Sequence, residues 1–209
     1  MELRTQIKKL SLWIFVIPFI TVNLCLFISV NYHIFDNTFF SVDQIGRSGP
    51  TFPYFDGGVS ISRTARTFPA YLVFKPGMII TSILLIIYWI KTNRIINNYQ
   101  NDENKKNLFK ILGIISAIFL IIHSIFLGIK FDHDLYKFFR RFVLLSFIIF
   151  EIIAQSLLVY KFFKIKNILK EDINRYVLVL KIILVTILVL VAIISLPIVV
   201  QSGNAHLKH

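Results

Sequence analysis

Five long runs of apolar residues alternate with polar connectors along the chain. The runs occupy residues 11–30, 71–90, 108–129, 138–160 and 176–200. The hydrocarbon core of a bilayer is about 30 Å thick, so one helical crossing needs about 20 apolar residues. The pattern therefore predicts an all-α fold, a polytopic transmembrane helix bundle with five spans that forms a single domain over residues 1–209. The polar residues 91–107 are expected to form a solvated connector.

The basic residues are distributed unequally between the two ends of the predicted bundle. Fourteen lysines and arginines fall in the N-terminal segment and in residues 91–110 and 161–181, against nine in the alternate connectors and the C-terminal tail. Cytoplasmic connectors of membrane proteins carry an excess of lysine and arginine. We therefore expect a cytoplasmic N terminus and an extracytoplasmic loop at residues 31–70.

The first apolar run follows a short basic segment, as the hydrophobic region of a signal peptide does. That region is normally about 7–15 residues long and ends at a small-residue cleavage site. The run at residues 11–30 is longer, contains Pro18 and lacks such a site. We interpret it as a retained first helix.

The loop between the first two runs has a composition unlike the rest of the chain. Residues 50–77 contain four prolines, three glycines and two arginines among aromatic residues. Proline fixes φ and glycine permits positive φ, so this mixture favours a specified irregular loop. We expect its aromatic side chains to be buried and function to lie in the loop or where it meets the helix ends. The regular second helix is expected to begin at Pro76, since proline is tolerated in a first helical turn.

The net charge of +12 has two explanations, a nucleic-acid surface or a membrane. The charges lie between the apolar runs and form no basic–aromatic platform, so cytoplasmic connectors and anionic lipid headgroups explain them better. We expect membrane lipids as partners, no nucleic acid and no cofactor. Cys25 is the single cysteine, so an intramolecular disulfide is excluded and the compartment is left open.

Glu151 is the sharpest candidate inside a predicted span. It lies about twelve residues into the fourth run, near the bilayer midplane. A carboxylate there is costly and usually faces a bundle interior, and Gln155 follows one turn later on the same face. The carboxyl group could be an ion or proton site, a headgroup contact, or a protonated structural group. His123 shares a face of the third helix with Ser116 and is a further polar candidate.

Four arginines on the predicted outer side could bind a lipid headgroup. Guanidinium groups fork onto phosphate, although snorkelling at an interface explains such residues equally well. The four are Arg63, Arg66, Arg140 and Arg141.

Catalytic and metal-binding patterns are weak. Several His and Asp residues of the predicted outer side are adequate zinc ligands but have no tight spacing motif, and a zinc hydrolase would need three converging ligands and a base. They are His33, Asp36, Asp56, His123, Asp132, His133 and Asp134. Ser60 and Ser62 have no Gly-x-Ser-x-Gly context and no local base. We therefore assign no catalytic residue and no metal site.

One stretch of the loop carries a recognisable set of residues. They are Pro53, Tyr54, Asp56, Gly57, Gly58, Ser60, Pro69 and Phe74. The stretch resembles the motif of the Frag1/DRAM/Sfk1 family, with two departures. Phe55 and Asp56 stand where the family usually has an apolar residue and Ser-Asp, and the spacing from Pro53 to Pro69 is several residues longer than usual.

The resemblance implies a six-helix membrane protein that handles lipids or lipid anchors, or organises membranes, without an established catalytic mechanism. The chain ends about where a sixth helix would follow, so that helix is expected to be missing.

Three hypotheses follow. The first is a non-enzymatic, lipid-interacting protein whose outer loop caps the bundle. The second is an intramembrane lipid-modifying enzyme that uses Glu151 or the outer His/Asp residues. The third is a small transporter or channel with Glu151 in its path; it has least support, because no repeat or pair of broken helices is evident.

Overall fold

The chain folds as an all-α helix bundle. A computed structural model describes residues 2–49, 52, 54–55, 61–100, 107–129, 134–165 and 175–205. Their α-helices are α1 (Glu2–Val30), α2 (Ile61–Thr64), α3 (Ala70–Gln100), α4 (Leu108–Phe126), α5 (Asp134–Ile165) and α6 (Arg175–Ala205). All except the short α2 are long and apolar enough to cross a membrane. The prediction of an integral, multipass membrane protein with five spans is confirmed.

The helices are longer than the apolar runs that identified them. α1 begins at Glu2 instead of near residue 11, and α3 continues to Gln100 instead of ending near residue 90. The prediction of a solvated connector was wrong for residues 91–100, because this part of α3 still packs: Thr92 and Ile96 are buried. Hydropathy locates the part of a helix inside the bilayer, whereas packing and backbone hydrogen bonding decide where the helix ends.

Pro76 does not begin the second spanning helix. α3 starts at Ala70, and Pro76 lies inside it, as Pro18 lies inside α1. At the other end of the bundle, α4 stops at Phe126 and is followed by Gly128 at φ +88°. The helix ends because the backbone of Leu127 is extended, and Gly128 then accepts a positive φ without a steric penalty.

Neighbouring spans pack in chain order, with α1 on α3, α3 on α4, and α4 on α5. Small residues allow close approach at two of these contacts. A Cβ atom on Gly77 of α3 would overlap the Thr21 side chain of α1, and one on Gly113 of α4 would overlap the Trp89 indole of α3. Close contact at small residues is a usual basis for helix association in membranes, because the hydrophobic effect does not drive helices together in lipid.

The long loop contains two 3-10 turns, η1 (Tyr32–Phe35) and η2 (Gln44–Gly46), before α2. Its aromatic residues were expected to be buried, and this was wrong for Phe52, Tyr54 and Phe55, which are exposed. Phe52 and Tyr54 instead line a groove of about 550 Å³ on the apolar face of α1. Aromatic rings are favourable at a membrane interface, so these side chains need no protein interior.

The loop is fastened to the bundle mainly through its own backbone. The Ser29 hydroxyl of α1 donates to the Gly46 carbonyl, and the Ser48 N–H donates to the Ser29 carbonyl at 3.1 Å. The Asp43 N–H donates to the Phe68 carbonyl at 3.2 Å, just before the start of α3. These bonds hold the middle of the loop over the ends of α1 and α3.

Candidate functional site

Three arginines from two different elements meet at the end of the bundle that is predicted to be extracytoplasmic. Arg63 lies in α2 and Arg66 just after it, whereas Arg140 lies in the second turn of α5. The pKa of the Arg66 guanidinium is lowered, first by burial and then by the positive charges of Arg140 and Arg63. We call these three residues the arginine cluster.

Backbone contacts position the arginine cluster. Arg63 Nε donates to the Ile45 carbonyl at 2.7 Å, and Arg66 Nε donates to the Ser62 carbonyl at 2.6 Å. The backbone of Arg66 lies against Gly128, where a Cβ atom would come within 3.2 Å of the Arg66 carbonyl oxygen. This close approach brings the loop to the α4 end of the bundle.

Arg140 is held between α4 and α5 without a complete set of hydrogen bonds. Its guanidinium carbon lies 5.3 Å from the ring centroid of Tyr136, whose hydroxyl donates to the Phe126 carbonyl at the end of α4. Arg140 Nε is buried and has no hydrogen-bond partner. His123 Nδ1 of α4 is also buried without a partner, and Arg140 is the charge that acts on this imidazole.

No carboxylate of the described residues forms an ion pair with the arginine cluster. Asp36 pairs with Arg47 at 3.2 Å and lies 3.7 Å from His33 Nδ1. The Asp43 carboxylate accepts a bond from the Phe68 N–H at 3.4 Å. The cluster therefore concentrates positive charge that these acidic residues do not neutralise.

Arg141, the fourth arginine expected at this end, is not brought into the cluster. Its side chain is exposed, and nothing in the described part of the chain forms a hydrogen bond or an ion pair with it.

A second polar group lies inside the bundle, between α3, α4 and α5. Ser116 Oγ of α4 is 2.6 Å from Glu151 Oε2, and Gln155 Nε2 donates to Glu151 Oε1 at 2.9 Å. We call Ser116, Glu151 and Gln155 the Glu151 network. The Trp89 side chain lies beside the same carboxyl group, although the buried Nε1 has no hydrogen bond of complete geometry.

A third polar group at the predicted cytoplasmic end was not anticipated. The buried Asn107 amide donates to Asn93 Oδ1 and Asn97 Oδ1, each at 2.6 Å, and its own Oδ1 accepts a bond from Lys161. These four residues form the amide cluster, which joins α3, α5 and the start of α4. The asparagine-rich composition of residues 93–107 is the signal for this cluster in the sequence, but it also fits the solvated connector that we predicted there.

The residues that carry the family resemblance are only partly described. Pro53, Asp56, Gly57, Gly58 and Ser60 lie outside the described residues. Tyr54 donates to Asn23 Oδ1 at 2.8 Å, which ties the loop to α1. Pro69 and Phe74 are buried at the start of α3, and a cis peptide bond joins Phe68 to Pro69.

The outer histidines and aspartates do not converge where they can be located. Within the described ranges, no group of three or more His, Cys, Asp or Glu residues could hold a metal ion. His33 and Asp36 belong to the loop, whereas His123 lies beside Arg140 in the bundle. Asp56, Asp132 and His133 fall outside the described residues, as does the side chain of Asp134.

Comparison with known proteins yields no relative. No family model matches the chain, and neither a curated protein nor a solved structure is significantly similar to it.

Proposed function

We propose that this protein is a lipid-interacting integral membrane protein that binds an anionic phospholipid headgroup at the arginine cluster. The observation that carries the proposal is a concentration of guanidinium groups that repel one another and face no carboxylate in the described part of the chain. A phosphate group would supply the missing negative charge and several acceptor oxygens in one ligand.

Two buried nitrogen atoms without hydrogen-bond partners at this end support the same ligand. Arg140 Nε–H is a buried donor without a partner, and His123 Nδ1 is a second one in the tautomer that carries its hydrogen there. Leaving a buried donor unsatisfied costs about 1–3 kcal/mol. Buried polar groups in proteins are nearly always hydrogen-bonded, so two such atoms at one end of the bundle indicate a missing partner. We expect the oxygens of a headgroup to occupy that position.

The location favours a lipid over a soluble anion. Arg140 lies two residues inside the apolar stretch Phe138–Ile165, one of the five candidate spans. The phosphate of a phospholipid bound there would lie at the depth of the headgroups. The acyl chains of this lipid would lie beside the apolar faces of α4 and α5. The resemblance of residues 53–74 to the Frag1/DRAM/Sfk1 family supports the same class of protein, one that handles lipids or organises membranes.

Native mass spectrometry of the detergent-purified protein tests the proposal directly. We expect a bound anionic phospholipid in the wild type and a loss of roughly tenfold or more in its occupancy in Arg66→Ala/Arg140→Ala, because each charge-assisted bond contributes about 1.5–3 kcal/mol. The matched control is Arg94→Ala/Lys164→Ala, which removes two exposed basic side chains at the opposite end. Equal loss in the control would overturn a specific site.

Two further arms identify the ligand and guard against misfolding. Arg66→Lys/Arg140→Lys keeps both charges but loses the planar fork, and we expect it to retain part of the binding. Thermal stabilisation by a short-chain phosphatidic acid but not by inorganic phosphate identifies the source as a lipid. Equal stabilisation by both would reassign the cluster to a soluble phosphate.

A further inference from the structure

Next to an ionised Glu151, the Ser116 hydroxyl would have more short contacts to acceptor oxygens than hydrogens to place in them. Ser116 Oγ lies 2.8 Å from the Gly113 carbonyl oxygen and 2.6 Å from Glu151 Oε2. A serine hydroxyl has one hydrogen, and a carbonyl or carboxylate oxygen donates none. With an ionised Glu151, the two contacts would therefore have to share this hydrogen in a weaker three-centre bond, or one of them would place two acceptors against each other.

A proton on Glu151 resolves the count. Oε2–H then donates to Ser116 Oγ, and the Ser116 hydroxyl donates to the Gly113 carbonyl. Gln155 Nε2 donates to Glu151 Oε1 at 2.9 Å, which suits the carbonyl oxygen of a neutral acid. Every short contact then joins one donor to one acceptor.

We infer that Glu151 is a proton-binding site inside the membrane, where its neutral carboxyl group is the donor that links α5 to Ser116 of α4. A neutral acid also avoids the cost of placing a charge within a spanning segment. The inference is independent of the headgroup site, because it uses no residue of the arginine cluster.

The groups around the carboxyl are consistent with this assignment. α3 presents Trp89, α4 presents Ser116, and α6 presents Lys181, the charged group whose field reaches Glu151. Lys181 Nζ nevertheless forms no ion pair with the carboxyl group. It lies 3.5 Å from the Tyr88 hydroxyl and 5.9 Å from the centroid of the Phe162 ring.

Release of the proton would change the role of Lys181. The carboxylate left behind would be a negative charge within reach of this ammonium group, whereas the neutral acid attracts it only weakly. Lys181 belongs to α6, the least buried of the candidate spans, of which 11% is buried inside the bundle. A shift of Lys181 towards Glu151 would therefore involve a helix with few packing contacts.

Infrared difference spectroscopy of the protein in lipid bilayers at neutral pH tests the inference. We expect the wild type to show the carbonyl stretch of a protonated carboxyl group, and Glu151→Gln to lose it. Carboxyl-¹³C glutamate should shift the same band, which identifies it as a glutamate. The control is Glu2→Gln at the first residue of α1, which should keep the band.

The outcomes are exclusive. A band that Glu151→Gln removes and Glu2→Gln keeps supports the proton site. If the difference between the wild-type and Glu151→Gln spectra contains only carboxylate bands, the proton site is overturned. Neither result depends on whether a phospholipid occupies the arginine cluster, so this test fails or succeeds separately from the headgroup proposal.

Discussion

At the scale of single residues, two buried polar side chains of this bundle have their hydrogen-bonding groups paired. Asn107 is 2% exposed, yet its amide uses both donors and its acceptor in the amide cluster. Ser116 is fully buried and bonds both its own helix and α5. Removal of one member should therefore cost more than the bond itself, since it strands the partners.

Asn107→Ala tests this cost. The change strands the amide oxygens of Asn93 and Asn97 and removes one acceptor of Lys161, so we expect destabilisation of about 1–3 kcal/mol. The measurement is the thermal midpoint of the purified protein. Asn98→Ala is the matched control, because Asn98 is exposed at the same end. Equal effects of the two variants would contradict the amide cluster as a structural element.

Glu151 provides a second prediction at this scale. The amide of Glu151→Gln can donate to Ser116 and accept from Gln155 as a neutral acid does, so we expect a stability close to that of the wild type. Glu151→Ala leaves Ser116 and Gln155 without these bonds and should cost about 1–3 kcal/mol. Denaturation in mixed micelles measures both. A glutamine variant as unstable as the alanine variant would contradict the neutral-acid geometry.

Individual residues were predictable from the sequence where the signal is local. Helical spacing places Glu151 and Gln155 on one face, and the structure joins them by a hydrogen bond. The encounter of Arg66 with Arg140 was not predictable, because it depends on how a loop lies on the end of α4. The fit of Trp89 against Gly113 depends on the packing of two helices and has no one-dimensional signal.

At the scale of helices, the existence of the spans was predictable because about 20 apolar residues have few other uses. Their ends were not. The helix α3 passes smoothly from apolar to polar side chains, and only its packing shows that Ile96 is still inside the bundle. The proline rule placed the start at Pro76, but the preceding turn formed from Ala70 onwards.

The contact between α1 and α3 offers a test with a built-in rescue. Gly77→Ala should stabilise an isolated helix by about 1 kcal/mol, but here its Cβ would overlap Thr21. We expect net destabilisation of about 1–3 kcal/mol from overpacking. Adding Thr21→Ala should restore much of the loss, because the overlapping Oγ1 and Cγ2 atoms disappear. A double variant no better than Gly77→Ala would contradict this packing.

At the scale of the whole molecule, the spans fix relative sides and the basic residues predict the absolute ones. Ser41 precedes α3 and Asn98 lies near its end, so one crossing separates them; both are exposed. In a Cys25→Ala background, Ser41→Cys should react with a membrane-impermeant maleimide on intact cells, and Asn98→Cys only after permeabilisation.

Reaction of both cysteines from one side would mean that α3 does not cross the membrane. The reverse pattern would invert the orientation and place the arginine cluster in the cytoplasm. The headgroup would then be sought in the inner leaflet, where anionic lipids are abundant.

The backbone hydrogen bonds that hold the long loop determine which of its positions tolerate substitution. The hydrogen bonds at Gly46, Ile45 and Phe68 are accepted by the backbone carbonyl groups, which every amino acid possesses. Mutational scanning should therefore find η2 tolerant of most replacements at Ile45, an exposed position. Gly46 should be the exception, since any side chain there would collide with Thr67. Side chains on the surface of the loop can therefore change while its backbone conformation stays the same. Variants with an altered ligand preference can arise in this way without loss of the fold.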